Sequence, residues 1–139
     1  MEAFVLDASV AISWCFPNDV TENTPYSRSI LRQIEEADAV VPEIWAFEIA
    51  NAIYVAHTKR KRINDTDVTD YRKLLESLPI RVVHGEWLEN VALETLARKH
   101  NLAVYDVAYI NLALRENLPL ASSDQALKTA ARAEGVSLI

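Results

Sequence analysis

The sequence predicts a three-layer α/β/α domain with a mostly parallel sheet of four to five strands. Three observations carry that expectation. Short apolar runs, such as Ala3-Phe4-Val5-Leu6 and Ala39-Val40-Val41, lack the in–out alternation of half-exposed strands, as expected of strands buried on both faces. Between them lie longer segments with helical spacing of apolar residues. Strand-like and helix-like segments also alternate along the chain, the order that builds a parallel sheet covered by helices.

Residues 3–6 form the first expected strand, and 9–16 a short helix after it. Thr24-Pro25 opens a helix over 25–36, with Ile30, Leu31 and Ile34 at helical spacing. A second strand at 39–41 is stopped by Pro42. A long helix from about 43 to 61 carries the apolar face Trp45, Ile49, Ala52, Ile53 and Ala56. Asp65 is placed to cap a helix running to Leu78, and Pro79 opens a strand at 80–83. Residues 86–100 read as helix with Leu88, Val91, Ala92 and Leu96 on its inward stripe, and 105–116 as another. A strand at 119–121, a helix at 124–133 and a last strand at 136–138 complete the pattern.

The 139 residues suit one compact domain over 1–139, large enough to bury a core without disulfides. Cys15 has no partner cysteine, and it sits among apolar neighbours as an inert buried thiol. The N-terminus lacks a basic residue before its apolar run and carries Glu2 and Asp7, against a signal peptide. No apolar run reaches the length of a membrane span. The expectation is a soluble, cytoplasmic protein. Only two glycines, Gly85 and Gly135, occur, which excludes a glycine-rich phosphate loop.

The net charge of −6 is uneven. Residues 1–57 hold nine acids and two bases; 58–139 hold eleven acids and twelve bases. An acidic chain is a poor generic polyanion binder. A nucleic-acid role therefore needs a local offset, either divalent cations or the basic run Lys59-Arg60-Lys61-Arg62 at the end of the long helix. That run also suits a solvated helix C-terminus.

Four acids stand in apolar settings: Asp7, Glu48, Asp106 and Asp124. Asp7 ends the first strand, Asp124 closely follows the strand at 119–121, Asp106 begins a helix, and Glu48 lies in the second turn of the long helix. All four can reach the carboxyl edge of one parallel sheet, where ligands bind in such folds. Taken singly, Asp7 and Asp124 are ordinary helix caps, and Asp106 is a first-turn acid favoured by the helix dipole. Glu48 resists such a reading, since no Lys or Arg lies within ten residues of it. Clustered carboxylates repel unless a cation sits among them, and an all-oxygen set suits Mg²⁺ or Mn²⁺. The three histidines, His57, His84 and His100, show no zinc-ligand spacing with one another or with Cys15.

These residues resemble a known family. Val5-Leu6-Asp7-Ala8-Ser9, Glu48-x-x-Asn51, Tyr105-Asp106 and Leu120-Ala121-Ser122-Ser123-Asp124-x-x-Leu127 look like the motifs of a PIN domain. Size and motif order are similar, more narrowly, to a VapC-type toxin of a type II toxin–antitoxin system. The resemblance implies an endoribonuclease with an acidic pocket for Mg²⁺ or Mn²⁺, a homodimer, an RNA substrate, a cognate antitoxin protein and no membrane association. Carried over by position, Asp7, Glu48, Asp106 and Asp124 match the four acidic positions. Asp7 and Asp106 would be the main metal ligands, with Glu48 and Asp124 completing the site directly or through water. Ser9, Asn51 and Ser122 match supporting positions, Ser122 standing where relatives often have Thr. Lys59, Arg60, Lys61 and Arg62 would touch the RNA backbone.

Other functions fit less well. A haloacid-dehalogenase phosphatase has Asp-x-Asp after its first strand, where this chain has Ser9. A receiver domain needs an Asp after an internal strand, and strand 80–83 ends in His84. A non-catalytic RNA-binding or protein-interaction module on the same fold remains an alternative, as does a nuclease for DNA or for particular structures. Trp14, Trp45, Phe47, Tyr54 and Trp87 are expected mostly in the core, with the alternative that several line a groove for an antitoxin helix or a dimer contact.

Overall fold

The computed structural model describes residues 3–139; Glu2, used above against a signal peptide, lies outside them. Strands β1 (Phe4–Leu6), β2 (Ala39–Pro42), β3 (Ile80–Val83) and β4 (Leu120–Ala121) form an all-parallel sheet in the order β3-β2-β1-β4. Phe4, Val5, Leu6, Val40 and Val41 expose no surface, as the unalternating apolar runs require. The segment 136–138, expected as a fifth strand, contributes one parallel bridge, Leu138 to Leu120. Its start is held elsewhere: the Val136 N–H still bonds the Ala131 carbonyl at the end of the last helix.

The helices are α1 (Ala8–Ser13), α2 (Pro25–Gln33), α3 (Ile44–Tyr54), α4 (Asp65–Ser77), α5 (Asn90–His100), α6 (Val104–Glu116) and α7 (Gln125–Ala133). The long helix expected over 43–61 ends its α-helical part at Tyr54 and continues as a π-helical turn, Val55–Lys59. A separate 3₁₀ turn, Trp87–Glu89, precedes α5. Local chemistry sets the boundaries. Thr24 accepts the Ser27 N–H with Pro25 at the first helical position of α2. The cap of α4 is Asn64 rather than Asp65, in a reciprocal capping box with Asp67.

α1 packs on α2 and α3, whereas α6 packs on α5, α7 and three of the strands. Right-handed crossovers place these groups on opposite faces of the sheet. Successive strands step from β1 outward to β3, and the chain then returns to lay β4 on the other side of β1. The reversal point is therefore the gap between the carboxyl ends of β1 and β4.

Two expectations about packing change. Leu88, Val91 and Ala92 are exposed, whereas Leu96 is buried as expected, with Leu93 and Ala97 packed beside it. The 3₁₀ turn takes Leu88 out of the phase of one continuous helix. Trp14 and Trp45 are core residues as expected, but Phe47 (70% exposed), Tyr54 (50%) and Trp87 (80%) are not. Cys15 is buried, and burial pushes its thiol up to about 11, which fits an inert role. Among the described residues no helix is long and apolar enough to cross a membrane.

Candidate active site

The pairing register determines what stands at the reversal point. Leu6 is level with Ala121, so Asp7 and Ser122 emerge side by side where the two strands end. Ser122 Oγ donates to Asp7 Oδ2 at 2.7 Å, and Ser9 Oγ donates to the same oxygen at 2.6 Å. Each serine is itself fixed: Ser9 accepts the Ser123 N–H and Ser122 accepts the Asp124 N–H. Asp7 occupies the N-cap position of α1 without a side-chain capping bond. Its carboxylate is turned into the site instead, with 5% of the residue exposed.

The other acids arrive from three helices. Asp106 lies in the first turn of α6, half-buried, and accepts no side-chain hydrogen bond among the described residues. Asp124 caps α7 by accepting the Leu127 N–H at Oδ1, as the capping alternative expected. Glu48 hangs from the second turn of α3 and accepts the Tyr109 hydroxyl at 2.7 Å through Oε1. Its hydrogen-bond partner is thus a neutral hydroxyl, and no Lys or Arg lies within ten residues of it in sequence. Asn51, one turn further along α3, is exposed and makes no side-chain hydrogen bond among the described residues.

The four acids feel one another's charge. Burial pushes the Asp7 carboxyl up, the Ser9 and Ser122 bonds pull it partly back, and Asp124 adds to the rise. Burial also raises Glu48, the Tyr109 bond opposes this, and Asp7 and Asp106 reinforce it. Asp106 is raised by burial and then by Asp124. No ion pair among the described residues involves any of the four. The pocket therefore holds negative charge that the protein leaves uncompensated.

The donor set fits a hydrated hard cation. Each acid keeps at least one oxygen outside the side-chain hydrogen bonds described: Asp7 Oδ1, Glu48 Oε2, Asp124 Oδ2 and both of Asp106. Among the described residues no three His, Cys, Asp or Glu side chains form a ready-made metal cage. Mg²⁺ is commonly held by one or two carboxylates, with waters and substrate phosphate filling its other positions. The histidines take no part: His57, His84 and His100 each pair with a separate carboxylate, Asp65, Glu43 and Glu134.

Two tyrosines belong to the site without having been singled out in the sequence. Tyr109 stands three residues after Asp106, on the same face of α6, so helical spacing alone could have suggested it. Tyr26, in α2, accepts the Ser122 N–H at 3.2 Å and donates to the Ile139 carbonyl at 2.6 Å. It steadies the end of β4 from a distant part of the chain and left no local signal.

The basic run divides. Arg62 is bound to Asp19 at 3.2 Å and Glu22 at 3.3 Å, with its guanidinium 4.0 Å from the Phe16 ring centre. It fastens the segment after the π turn to the loop after α1. Lys59, Arg60 and Lys61 are exposed.

Comparison with known proteins agrees with this architecture. The PIN domain family pattern matches residues 4–133, and the chain belongs to that family, whose fold is of the nuclease type. Two solved structures share the fold. PAE2754 from Pyrobaculum aerophilum is 17% identical with a TM-score of 0.66, over 94% of this chain and 87% of that one. A domain of a functionally unknown protein from Methanocaldococcus jannaschii is 19% identical with a TM-score of 0.56, over 100% and 90%. No curated protein sequence matches the chain.

Proposed function

We propose that this PIN domain is a Mg²⁺- or Mn²⁺-dependent endoribonuclease, the toxin of a VapC-type toxin–antitoxin pair. The observation that carries the nuclease part is the convergence of Asp7, Glu48, Asp106 and Asp124 at the β1–β4 reversal point with no ion-pair partner among the described residues. Asp7 Oδ1 and Asp106 would hold the ion, with Glu48 and Asp124 reaching it directly or through water. A bound divalent ion supplies Lewis-acid activation of water and neutralises charge on the phosphate.

The chain's own groups do the rest. Ser9 and Ser122 fix the Asp7 carboxylate so that its free oxygen faces the substrate. Tyr109 fixes Glu48 through Oε1, and Oε2 is left to accept a proton from the attacking water. Its raised pKa brings that base nearer the working pH. The water oxygen bonds phosphorus as the bond to the 3′ oxygen breaks, and that oxygen takes a proton from solvent, leaving 5′-phosphate and 3′-hydroxyl ends.

The toxin pairing and the homodimer rest on the motif resemblance. An apolar patch supports a contact with a second copy: Trp87, Val104 and Tyr105 line a groove of about 330 Å³, and Leu88 and Val91 are exposed on the adjoining turn. Exposed apolar surface of this kind marks interaction sites.

Incubating the protein with total RNA and sequencing the new ends tests the reading. Cleavage with 5′-phosphate ends, dependent on Mg²⁺ or Mn²⁺ and abolished by a chelator, is expected. Absence of cleavage with either ion selects the non-catalytic module, and equal cleavage of DNA selects a nuclease indifferent to the sugar.

Tyr109→Phe tests the role of Glu48. A hydrogen bond to a charged group contributes about 1.5–3 kcal/mol, so kcat/KM should fall roughly tenfold or more. The Tyr109 bond holds the Glu48 carboxyl down, so its removal should move the acid limb of the pH–rate profile upward. An unmoved limb would remove Glu48 from the proton transfer.

A further inference from the structure

The outer face of α3 presents an arrangement that the acidic pocket does not explain. Phe47 and Tyr54 are both well exposed, seven residues apart and hence on one side of the helix. Phe47 is the neighbour of Glu48 in α3, turned about 100° from it around the helix, so the stripe begins at the level of the acids on an adjoining face. At its far end the Lys59 ammonium lies 6.0 Å from the Tyr54 ring centre. Beside Tyr54, a groove of about 290 Å³ between α3 and α4 is lined by His57, Thr58, Asp65 and Arg72. The carboxylate in that groove, Asp65, is already paired with His57 at 2.7 Å.

The charges along this face are uncommitted. Lys59, Arg60, Lys61 and Arg72 enter none of the ion pairs among the described residues, unlike Arg62. Lys61 adopts a left-handed backbone conformation, φ 51°, which is uncommon for a residue with a side chain. The chain turns there, so that Arg62 returns to Asp19 and Glu22 while its three basic neighbours stay exposed. Helix-dipole stabilisation accounts for cations after α3. It does not account for Arg72 on a different helix, or for two exposed aromatic rings leading back to the acids.

Exposed rings interleaved with unpaired bases are what a single-stranded nucleic acid requires. Every unpaired base has a face to stack, and each nucleotide brings one phosphate. We infer that the outer face of α3 is the track for the unpaired RNA strand beside the scissile bond. Phe47 and Tyr54 stack its bases, and Lys59, Arg60, Lys61 and Arg72 neutralise its phosphates. The track rests on the ribonuclease reading and adds to it the form of substrate, a single strand several nucleotides long. At 1.5 Å per residue, Lys59 lies about 16 Å along the helix from Glu48. The track therefore lengthens contact beyond the acidic pocket, where the protein itself offers the phosphates only negative charge.

The test uses the full chain and three sets of substitutions: Phe47→Ala with Tyr54→Ala, Lys59→Ala with Arg60→Ala and Lys61→Ala, and Arg72→Ala alone. Binding of an unpaired oligoribonucleotide is followed by fluorescence anisotropy across a salt series without divalent ions, so it is read apart from cleavage. The aromatic pair should weaken binding about tenfold or more. The triple charge variant should lower the slope of log K against log salt by about 2, at roughly 0.7 per phosphate contact on a single strand. Where cleavage is measured, the loss should appear in KM more than in kcat. Binding and salt slope equal to the parent's in all variants overturn the track. So does unchanged RNA binding accompanied by a shift in oligomer size, which assigns the face to a protein contact. A parent that binds RNA through this face but cleaves none with Mg²⁺ or Mn²⁺ supports the track and sinks the nuclease.

Discussion

Asp7→Asn should eliminate cleavage and leave a protein that is folded and more stable at neutral pH. The activity loss follows from charge. Asp7 supplies the most deeply buried carboxylate of the pocket and a free oxygen for the ion. A neutral amide forfeits several kcal/mol of charge stabilisation, a loss on the order of a thousandfold or more in rate. The fold should survive because the substitution keeps shape. An asparagine carbonyl at the Oδ2 position can accept both serine hydroxyls, and its amide takes the place of Oδ1. The stability gain follows from linkage. Burial raises the Asp7 carboxyl in the folded state above its unfolded value. The folded protein therefore holds the proton more tightly, and stability is lost as pH rises from the unfolded value through the folded one. Asparagine does not ionise and escapes that loss, so Tm at neutral pH should rise. Asp106→Asn should match it in activity with a smaller gain, being half-exposed. Cleavage assays, circular dichroism and thermal unfolding on the same preparations check all three points. Full activity in purified Asp7→Asn would end the metal-site mechanism.

The strands β1 and β2 were readable because they are buried on both faces, whereas the edge strand β3 exposes Arg81 and Val82. Phe4-Val5-Leu6 and Ala39-Val40-Val41 allow no solvent face, and Pro42 and Pro79 mark their borders or their neighbours. The acids were readable because carboxylates in apolar runs need a reason. Their individual roles were less so. Asp124 both caps α7 and faces the pocket, whereas Asp7 sits at a cap position and caps nothing; only tertiary contacts separate the two. Leu96 was placed correctly on the inward face of α5, but Leu88 was not, because a 3₁₀ turn at Trp87–Glu89 has fewer residues per turn than the helix it precedes. Phe47, Tyr54 and Trp87 were expected inside because aromatic residues often are. Which rings stay out depends on where neighbouring helices lie, and that is set far away in the chain. Tyr26 illustrates the limit: its hydroxyl supports Ser122 from 96 residues away, a distance no local pattern crosses.

Added Mg²⁺ or Mn²⁺ should stabilise the protein, by an amount that shrinks as pH falls. Asp7, Glu48 and Asp106 are all raised, first by burial and then by one another or by Asp124. Without an ion the three act in the same direction: stability is fully present below the unfolded carboxyl values and declines as pH climbs through the folded ones. An ion binds only the ionised pocket and competes with protons for the same oxygens. At a hundredfold excess over its Kd it adds about 2.7 kcal/mol, roughly 10 °C in Tm for a chain of this size. The chelated protein should thus be most stable in mild acid and the ion-loaded protein nearer neutrality, so the two curves converge on acidification. Thermal unfolding against pH, in chelator and in each ion, reads this directly. Asp7→Asn with Asp106→Asn should flatten the pH dependence and remove the response to the ion. Identical Tm values with and without either ion at every pH would leave the pocket's uncompensated charge without a ligand to explain it. In that case the non-catalytic alternative would gain, since a folded pocket that does not take a divalent ion at neutral pH has nothing to activate water with.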